Sequence, residues 1–541
     1  MLKTSPHRSM PMNIRFHPDT RASSLRRKLL SWSVVAMLTL AGITNAAAQA
    51  DKSSDKLLVY AMYADIKDWD PSIASSTEVI MLSNVYEPLV WYNPNAGKPT
   101  FTPALASSWS VSKDGKTWTF KLRENVKFHD GSVFDANAAK ASLERTIKLA
   151  KGSSFIWSAV ESITATSKTT LAIKTKVPAA VDLIASSQYA AYMISPAAME
   201  KGTTWFNEGR GAGTGPYKVR QWNRGQEVIL ERFDDYWGGW KPNQFSRVSL
   251  KIVQEAATQV QMMRSGEADF ITLPAADLVK VLEKNPAIAI ARGPSWRNTQ
   301  LLMNTSKPPT DNLKFRQALS YAWDYATVIN GVYEGGAKRS IGVIPATMWG
   351  YSPQLKIPAF DLAKAKLLIE SSGVPASARR ISIAYISTSE EYKNSLLLFK
   401  SNLEKIGVQV DLKPGPWGKI WDDAKGHQNA TNLITMTWWP SYATPSDWLM
   451  GLFRSEKVTD FNLSHYSNPA YDQLVNEGLV LEGTDKKAAA GKYASAQQLL
   501  LDDAVAIFVA DLDGRAIYRK GIKGLTLNPA YDAVLFYSLS R

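Results

Sequence analysis

The chain has 541 residues, of which 45% are hydrophobic and 21% are charged, and its formal net charge is +14. This composition is typical of globular proteins and excludes a disordered or fibrous class, while the length predicts more than one domain. Cysteine is absent, which excludes disulfides, thiolate metal sites and the lipid-anchored processing of a bacterial lipoprotein.

The first fifty residues have the three-part pattern of an export signal. A basic stretch precedes the apolar run 29–43, and a small-residue cleavage site ends at Ala50. The apolar run is shorter than the roughly 18–20 residues that span a bilayer. We therefore expect residues 1–50 to be a cleaved signal peptide and the mature protein to be periplasmic. Paired arginines leave twin-arginine export open beside ordinary secretion.

The first half of the exported chain is dominated by strands and hairpins. Residues 56–63 read as a strand, and 108–131 and 162–176 read as hairpins because alternating residues flank short turns. Between the hairpins, a helix is predicted with Asp135 as its N-cap. Residues 211–254 are mostly strand-like.

In the second half, strands alternate with helices. A long amphipathic helix is predicted over 311–333 with Asp311 as its cap, and another over 360–373 with Asp361 as its cap. A strand is predicted over 504–511. This alternation predicts an α/β lobe.

Motifs of metal centres and hydrolases are missing from the sequence. His129, His427 and His465 are far apart and lack metal-ligand spacing, and no G-x-S-x-G elbow occurs. We therefore expect no enzyme, no metal and no cofactor. An exported hydrolase stays as the alternative class, because a sequence cannot measure the separation of two carboxylates. No block of five or more Lys or Arg occurs, so nucleic acid binding is not expected.

The glycine-rich stretch "GRGAGTGPY" (209–217) resembles a phosphate loop only superficially. Pro216 stands where a dinucleotide fingerprint beginning at Gly211 needs glycine. We interpret the stretch as a conformationally demanding connection into a strand.

Aromatic side chains are concentrated between residues 411 and 450. Tryptophan rings bury large areas and stack on ligands, and each ring could equally belong to a core. Strand alternation puts Trp438 and Trp439 on opposite faces, so one of them is expected in the core. The five tryptophans of this region are Trp417, Trp421, Trp438, Trp439 and Trp448.

Seven stretches together carry a family resemblance. They are "NVYEPLV" (84–90), "LASSWSVSKDGKTWTFKLRENVKFHDGSVFDA" (105–136), "GTGPY" (213–217), "LKFRQALSYAWD" (313–324), "PATMWGY" (345–351), "FDLAKAKLLIESSG" (360–373) and "LEKIGVQVDL" (403–412). In this order they resemble the periplasmic solute-binding proteins of peptide-type ABC importers, the extracellular family 5. The resemblance covers nearly the whole exported chain.

The resemblance implies the two-lobed α/β fold of type II periplasmic binding proteins, with an extra subdomain in the first lobe and a hinge that the chain crosses twice. It places lobe 1 at 51–303 with the extra subdomain at about 88–210, lobe 2 at 304–510, and the return to lobe 1 at 511–541. The lobes close over a ligand, and the closed monomer docks on inner-membrane ABC permease subunits.

Over the stretch that matches residues 438–445, peptide-binding members of the family that this chain resembles have a motif close to W-x-x-D-Y-x-[DE]-P. The aspartate of that motif binds the peptide ammonium. Trp438, Tyr442 and Pro445 match the motif, whereas Ser441 stands at the aspartate and Thr444 at the second acid. A buried ammonium needs a paired charge, which Ser441 does not supply. Free dipeptides are therefore expected to bind weakly.

The carboxylate anchor of dipeptide-binding members is also missing from its matching stretch. Residues 385–393 contain no arginine, and Lys393 cannot form a bidentate pair with a carboxylate. Trp417 matches a pocket tryptophan of the oligopeptide-binding type. The predicted ligand-binding residues are Trp417, Trp438, Ser441, Tyr442 and Trp439.

These observations predict a periplasmic substrate-binding component of an ABC importer that captures a peptide or a related small organic solute. A non-peptide solute, such as an opine, an oligosaccharide or a modified amino compound, stays open because of Ser441.

Overall fold

The computed structural model of the protein describes residues 56–94, 101–272, 274, 276–426 and 428–541. The predicted signal peptide, residues 1–50, lies outside the described residues. Within the described ranges, no helix has both the length and the apolar character needed to cross a membrane.

The strands follow one another along the described chain as β1 (Leu57–Met62), β2 (Val90–Tyr92), β3 (Phe101–Pro103), β4 (Ala106–Val111), β5 (Thr117–Leu122), β6 (Val160–Ser167), β7 (Thr170–Thr175), β8 (Tyr217–Asn223), β9 (Glu227–Arg232), β10 (Arg247–Ile252), β11 (Phe270–Ile271), β12 (Ile288–Gly293), β13 (Asn298–Met303), β14 (Ala337–Arg339), β15 (Arg380–Ile386), β16 (Gln409–Gly415), β17 (Leu433–Trp438), β18 (Ala506–Leu512) and β19 (Gly514–Arg519).

The α-helices are α1 (Val79–Val85), α2 (Ala136–Leu149), α3 (Val181–Ile184), α4 (Pro196–Met199), α5 (Gly202–Phe206), α6 (Ala256–Ser265), α7 (Ala276–Glu283), α8 (Leu313–Ala322), α9 (Tyr325–Thr327), α10 (Leu362–Ser371), α11 (Glu390–Lys405), α12 (Trp417–Lys425), α13 (Ser446–Phe453), α14 (Pro469–Glu482) and α15 (Lys486–Asp502). Short 3-10 turns occupy Gly152–Trp157, Ala376–Ala378 and Phe536–Ser538, and a π-turn occupies Val328–Val332.

The first lobe is built around a seven-stranded sheet with the order β12-β19-β11-β1-β10-β9-β8. β1 runs parallel to β10 and β11, whereas the outer strands pair antiparallel. The carboxyl ends of β1, β10 and β11 therefore lie at one edge of the sheet, where α/β proteins bind ligands. Tyr63, Gln254 and Thr272 follow these three strands and are brought together at that edge.

The second lobe is built around a six-stranded sheet with the order β14-β18-β13-β17-β15-β16. β15 runs parallel to β16 and β17, so Trp417 and Trp439, which follow β16 and β17, lie at the same carboxyl edge. β13 runs antiparallel to β17, and Arg297 immediately before β13 is therefore at this edge too. The chain passes from the first sheet to the second between β12 and β13 and returns between β18 and β19. The predicted two-lobed α/β fold is confirmed, whereas the numbered limits of its domains stay predictions.

The extra subdomain contains a four-stranded antiparallel sheet with the order β4-β5-β7-β6. The hairpins β4–β5 and β6–β7 confirm the two predicted hairpins. Asp135 caps α2 as predicted, because its side chain accepts hydrogen bonds from the backbone N–H of Asn137 and Ala138. One apolar cluster includes both Trp157 of this subdomain and Trp448 of the second lobe, so the two regions share a core.

The long helix predicted over 311–333 is wrong in its cap and its length. Asn312, not Asp311, caps α8 by accepting a hydrogen bond from the backbone N–H of Phe315. α8 then ends at Trp323, whose backbone is extended and whose buried ring packs against Phe399 at a centroid distance of 5.0 Å. Tertiary packing of this indole overrides the local helical pattern. Asp361, by contrast, caps α10 as predicted.

Close backbone approach explains the glycines of residues 209–217. A Cβ added to Gly213 would lie 2.1 Å from the carbonyl oxygen of Val85, at the end of α1. The backbone N–H of Gly215 donates to that same carbonyl at 3.0 Å. Thr214 between them donates from Oγ1 to Oε2 of the buried Glu87 at 2.9 Å. The interpretation as a demanding connection is therefore confirmed.

Gly213→Ala is expected to lower the free energy of unfolding by about 1–3 kcal/mol, because backbone atoms must move to admit the methyl group. Gly491→Ala in α15 is the control, since an added Cβ there meets nothing within 4 Å. That control is expected to raise the free energy of unfolding by about 0.5–1 kcal/mol. Urea unfolding of both variants measures the difference, and equal effects would contradict the close-approach explanation.

Candidate functional site

A cleft lies between the carboxyl edges of the two large sheets and contains two chambers. The first chamber has a volume of about 180 Å³ and the second about 300 Å³. The chambers are neighbours and share seven lining residues: Tyr63, Gln254, Ile386, Thr388, Trp417, Thr437 and Trp439. Each lobe contributes residues that follow parallel strands, so the fold itself creates the cleft.

The structure brings four of the five predicted site residues to this cleft. Trp417 and Trp439 are half-buried and line both chambers, whereas Trp438 and Ser441 are buried and line the second chamber. One flank of the cleft is therefore aromatic, as expected for a site that takes planar or apolar ligand groups.

Tyr442, the fifth predicted residue, lies outside the lining of both chambers. Its hydroxyl shares a hydrogen bond of 2.6 Å with Oγ of Ser446, and its ring borders a separate cavity of about 20 Å³. The side chain is buried with Glu482 nearby, and burial raises the pKa of the Tyr442 phenol. These contacts give Tyr442 a structural setting inside the lobe.

Ser441 is held by serines of the first lobe. Its Oγ lies 2.9 Å from Oγ of Ser153, and its carbonyl oxygen accepts a hydrogen bond of 2.5 Å from Oγ of Ser187. The Ser441 hydroxyl therefore already has a partner in this arrangement.

Three further contacts join the two lobes across the cleft. Trp417 donates from Nε1 to Oγ of Ser76 at 3.1 Å, and Trp439 donates from Nε1 to the hydroxyl of Tyr189 at 2.9 Å. Tyr189 in turn donates to the carbonyl oxygen of Ser76 at 2.6 Å. An exposed ion pair of 2.8 Å joins Lys67 to Asp422 at the mouth of the cleft. The two indoles thus line the chambers and connect the lobes at the same time.

The first chamber contains two arginines. Arg297 pairs with Asp532 at 3.2 Å, and its buried Nε has no hydrogen-bond partner. Arg515 donates from Nη2 to the carbonyl oxygen of Pro274 at 2.7 Å. Burial lowers the pKa of the Arg515 guanidinium, and the charge of Glu391 opposes that shift. Both guanidinium groups have donor positions suited to a carboxylate.

The second chamber contains a buried carboxyl group. Glu78 is 1% exposed and precedes α1, and burial raises its pKa to about 7. Asp68 lies on the same side of the chamber and is half-buried, which also raises its pKa, while the charge of Lys67 opposes the shift.

The charge of the cleft differs in sign from that of the chain. Six acidic and three basic side chains line the two chambers, which gives a formal charge of −3, whereas the whole chain has +14. The nine residues are Asp65, Asp68, Glu78, Glu390, Glu391, Asp513, Lys67, Arg297 and Arg515. Such a lining favours ligands that carry a positive group.

Sequence reasoning missed Glu78, Arg297 and Arg515. Lys393, which it considered as a carboxylate anchor, is exposed, pairs with Glu390 at 3.2 Å and does not line either chamber. The position of the two arginines in the chain could have identified them. Arg297 immediately precedes β13 and Arg515 closely follows β18, which are the two places where the chain crosses between the sheets. No group of three or more His, Asp or Glu in the described part of the chain could hold a metal ion.

Comparison with known proteins gives a consistent result. The family profile of bacterial extracellular solute-binding proteins, family 5 Middle, matches residues 100–460. The probable D,D-dipeptide-binding periplasmic protein DdpA of Escherichia coli is 29% identical over 88% of this chain and 93% of its own length. The glutathione-binding protein GsiB of Pectobacterium atrosepticum is 30% identical over 87% of this chain and 92% of its own length.

A solved structure shows the same overall fold. The periplasmic binding protein DppA of Helicobacter pylori, in complex with the peptide STSA, superposes with a TM-score of 0.80 at 25% identity. The superposition covers 90% of this chain and 99% of the DppA chain. These relatives are binding proteins.

Proposed function

The chain belongs to family 5 of the bacterial extracellular solute-binding proteins, and from this membership we propose that it is the periplasmic substrate-binding component of an ABC importer. It captures a short peptide between its lobes and delivers it, as a monomer, to permease subunits in the inner membrane. The observation that carries the proposal is the closed cleft between the two sheets, with Trp417 and Trp439 on its aromatic side. The proposal includes no catalytic step.

The size of the cleft supports a short ligand. The second chamber, at about 300 Å³, lies at the lower limit of the range of about 300–1,000 Å³ for small-molecule sites, and the first, at about 180 Å³, lies below it. The relatives' names specify a D,D-dipeptide and glutathione, and the solved relative holds a four-residue peptide. These ligands favour a di- or tripeptide and do not favour the non-peptide alternative that Ser441 left open.

The arginines of the first chamber supply a carboxylate anchor in the proposed complex. Arg297 and Arg515 replace the arginine that residues 385–393 lack, because both line the chamber and both have unused donors. In the proposed mechanism, the ligand shifts the protein to the closed form because it binds that form more tightly than the open form. The difference in affinity sets how much of the protein is closed.

Isothermal titration calorimetry with dipeptides, tripeptides, glutathione and haem tests the proposal. Saturable binding of one short peptide per protein is expected, and exclusive binding of haem or of no peptide would contradict it.

Trp439→Ala is expected to weaken peptide binding by about 1–3 kcal/mol, because this indole lines both chambers. Trp109→Ala is the matched control, since Trp109 lies on β4 and lines neither chamber. The same titrations measure both variants. Unchanged affinity in a folded Trp439→Ala protein would remove Trp439 from the site.

A further inference from the structure

Glu78 is a carboxyl group in an otherwise uncharged turn. It follows Ser75, Ser76 and Thr77 and precedes the apolar helix α1, with 1% of its surface exposed. It lines the second chamber, which Ser441 also lines from the second lobe. The chamber therefore has a carboxyl group on one lobe and, on the other, Ser441 at the position where the family resemblance implies an aspartate.

Only half of the Glu78 carboxylate has hydrogen-bond partners. Oε1 accepts from the backbone N–H of Ser75 at 2.8 Å and of Ser76 at 3.0 Å, and these bonds shape the turn before α1. Oε2 is buried and has no partner. None of the ion pairs among the described residues includes Glu78, so its negative charge is uncompensated within the described chain. A structural role in the turn needs Oε1 alone and leaves Oε2 unexplained.

Two of the three other charged groups of the second chamber are already engaged. Asp65 accepts hydrogen bonds from Nε1 of Trp222 and from the backbone N–H of Ile66 and Gly225. Lys67 pairs with Asp422. Glu78 and the half-buried Asp68 are left as the acids without a specific partner in this chamber.

We propose that Glu78 of the first lobe binds the ammonium group of the ligand. Glu78 then takes the role that the family resemblance gives to an aspartate at the position of Ser441 in the second lobe. The inference rests on the proposed function and names the chemical class of its ligand: a small solute with a free, protonated amine. Burying an unpaired carboxylate is costly, and a ligand cation beside Oε2 offsets that cost. This proposal predicts that free dipeptides bind well, in contrast to the weak binding expected from residues 438–445 alone.

A thermodynamic cycle between ligand and protein tests this pairing. The probe is the tightest binder in a library of L,L-dipeptides, together with its N-acetylated form, titrated into the wild type and Glu78→Gln. Acetylation is expected to weaken binding to the wild type about tenfold or more, and Glu78→Gln to weaken binding of the free peptide by a similar factor. In Glu78→Gln, acetylation is expected to have less than about a threefold effect, because the two changes remove one interaction.

Two control variants separate the alternatives. Asp68→Asn is expected to keep the full effect of acetylation, and so is Asp235→Asn on the surface. Equal weakening of both peptides by Glu78→Gln would assign Glu78 a structural role and overturn the inference, as would loss of the acetylation effect in Asp68→Asn instead. If no dipeptide binds the wild type in either form, the proposed function fails and the inference fails with it.

A further experiment uses only the wild-type protein, so its result does not depend on whether Glu78→Gln folds correctly. At pH 7, calorimetry in two buffers of different ionisation enthalpy is expected to show proton release on binding of the free dipeptide. An ammonium beside Glu78 lowers the pKa of a carboxyl group that burial has raised to about 7. Asp68, Tyr63 and Tyr189 are the titratable groups that face Glu78, and burial raises the pKa of each. Equal proton release with the acetylated dipeptide would overturn the inference.

Discussion

Asp70→Ala is expected to lower the free energy of unfolding by about 3–5 kcal/mol, because it leaves the Arg145 guanidinium, which is only 14% exposed, without its counter-charge. Asp70 is fully buried and forms a bidentate pair with Arg145, at 2.7 Å from Nη1 to Oδ1 and 2.6 Å from Nη2 to Oδ2. Oδ2 also accepts from Oγ1 of Thr203 at 2.7 Å, and Oδ1 from the backbone N–H of Ser72 at 3.0 Å.

The same substitution is expected to disturb the second chamber. Asp70 lies in the segment between β1 and α1, and this segment supplies Asp68, Ser76 and Glu78 to the chamber lining. Loss of the Arg145 pair frees that segment from α2 and α5. Denaturant unfolding gives the stability, and peptide titration gives the accompanying loss of affinity.

Asp235→Ala is the control for Asp70→Ala. Asp235 pairs with Lys127 at 2.8 Å, but both side chains are about half exposed or more. Solvent-exposed pairs contribute about 0–1 kcal/mol, so little change in stability is expected. A loss below about 1 kcal/mol for Asp70→Ala would show that the buried pair does not stabilise this segment.

Trp438→Ala is expected to destabilise the fold by about 3–5 kcal/mol, which is typical of deleting a large buried aromatic side chain. Trp438 is 6% exposed, and its ring packs at 90° against Phe461 with a centroid distance of 5.4 Å. Its Nε1 donates to Oδ2 of Asp447 at 2.8 Å, and Asp447 is fully buried. Burial raises the pKa of Asp447 to about 7, and loss of the indole donor removes an interaction that opposes this shift.

Trp439→Ala is the neighbouring comparison for Trp438→Ala. Trp439 is half-buried and reaches the hydroxyl of Tyr189 across the cleft, so its loss is expected to affect ligand affinity more than stability. Thermal unfolding and calorimetry of both variants measure the two effects. If Trp438→Ala unfolds at the same temperature as the wild type, that result would contradict the position of Trp438 in the core.

Local patterns predicted the elements that local interactions determine. The hairpins and the Asp135 and Asp361 caps follow from turn residues and capping side chains. Trp438 is the buried member of its pair with Trp439, although both residues line the second chamber. The helix predicted over 311–333 failed where the ring of Trp323 packs into the core, because packing against Phe399 is not visible in the local pattern.

The charged residues of the cleft were not predictable from the motif at residues 438–445. Glu78 and Ser441 line one chamber although they are more than 300 positions apart in the chain. The motif directed attention to Ser441 alone, and the carboxyl group on the other side of the chamber is visible only in the structure. Arg297 and Arg515 were missed for the same reason, since their proximity depends on the two crossings between the sheets.

Native mass spectrometry of the protein purified without denaturation identifies the bound ligand directly. We expect one bound di- or tripeptide per protein, with a free amine that reacts with an amine-labelling reagent once the ligand is released. A bound haem, a sugar or another solute without a free amine would contradict it.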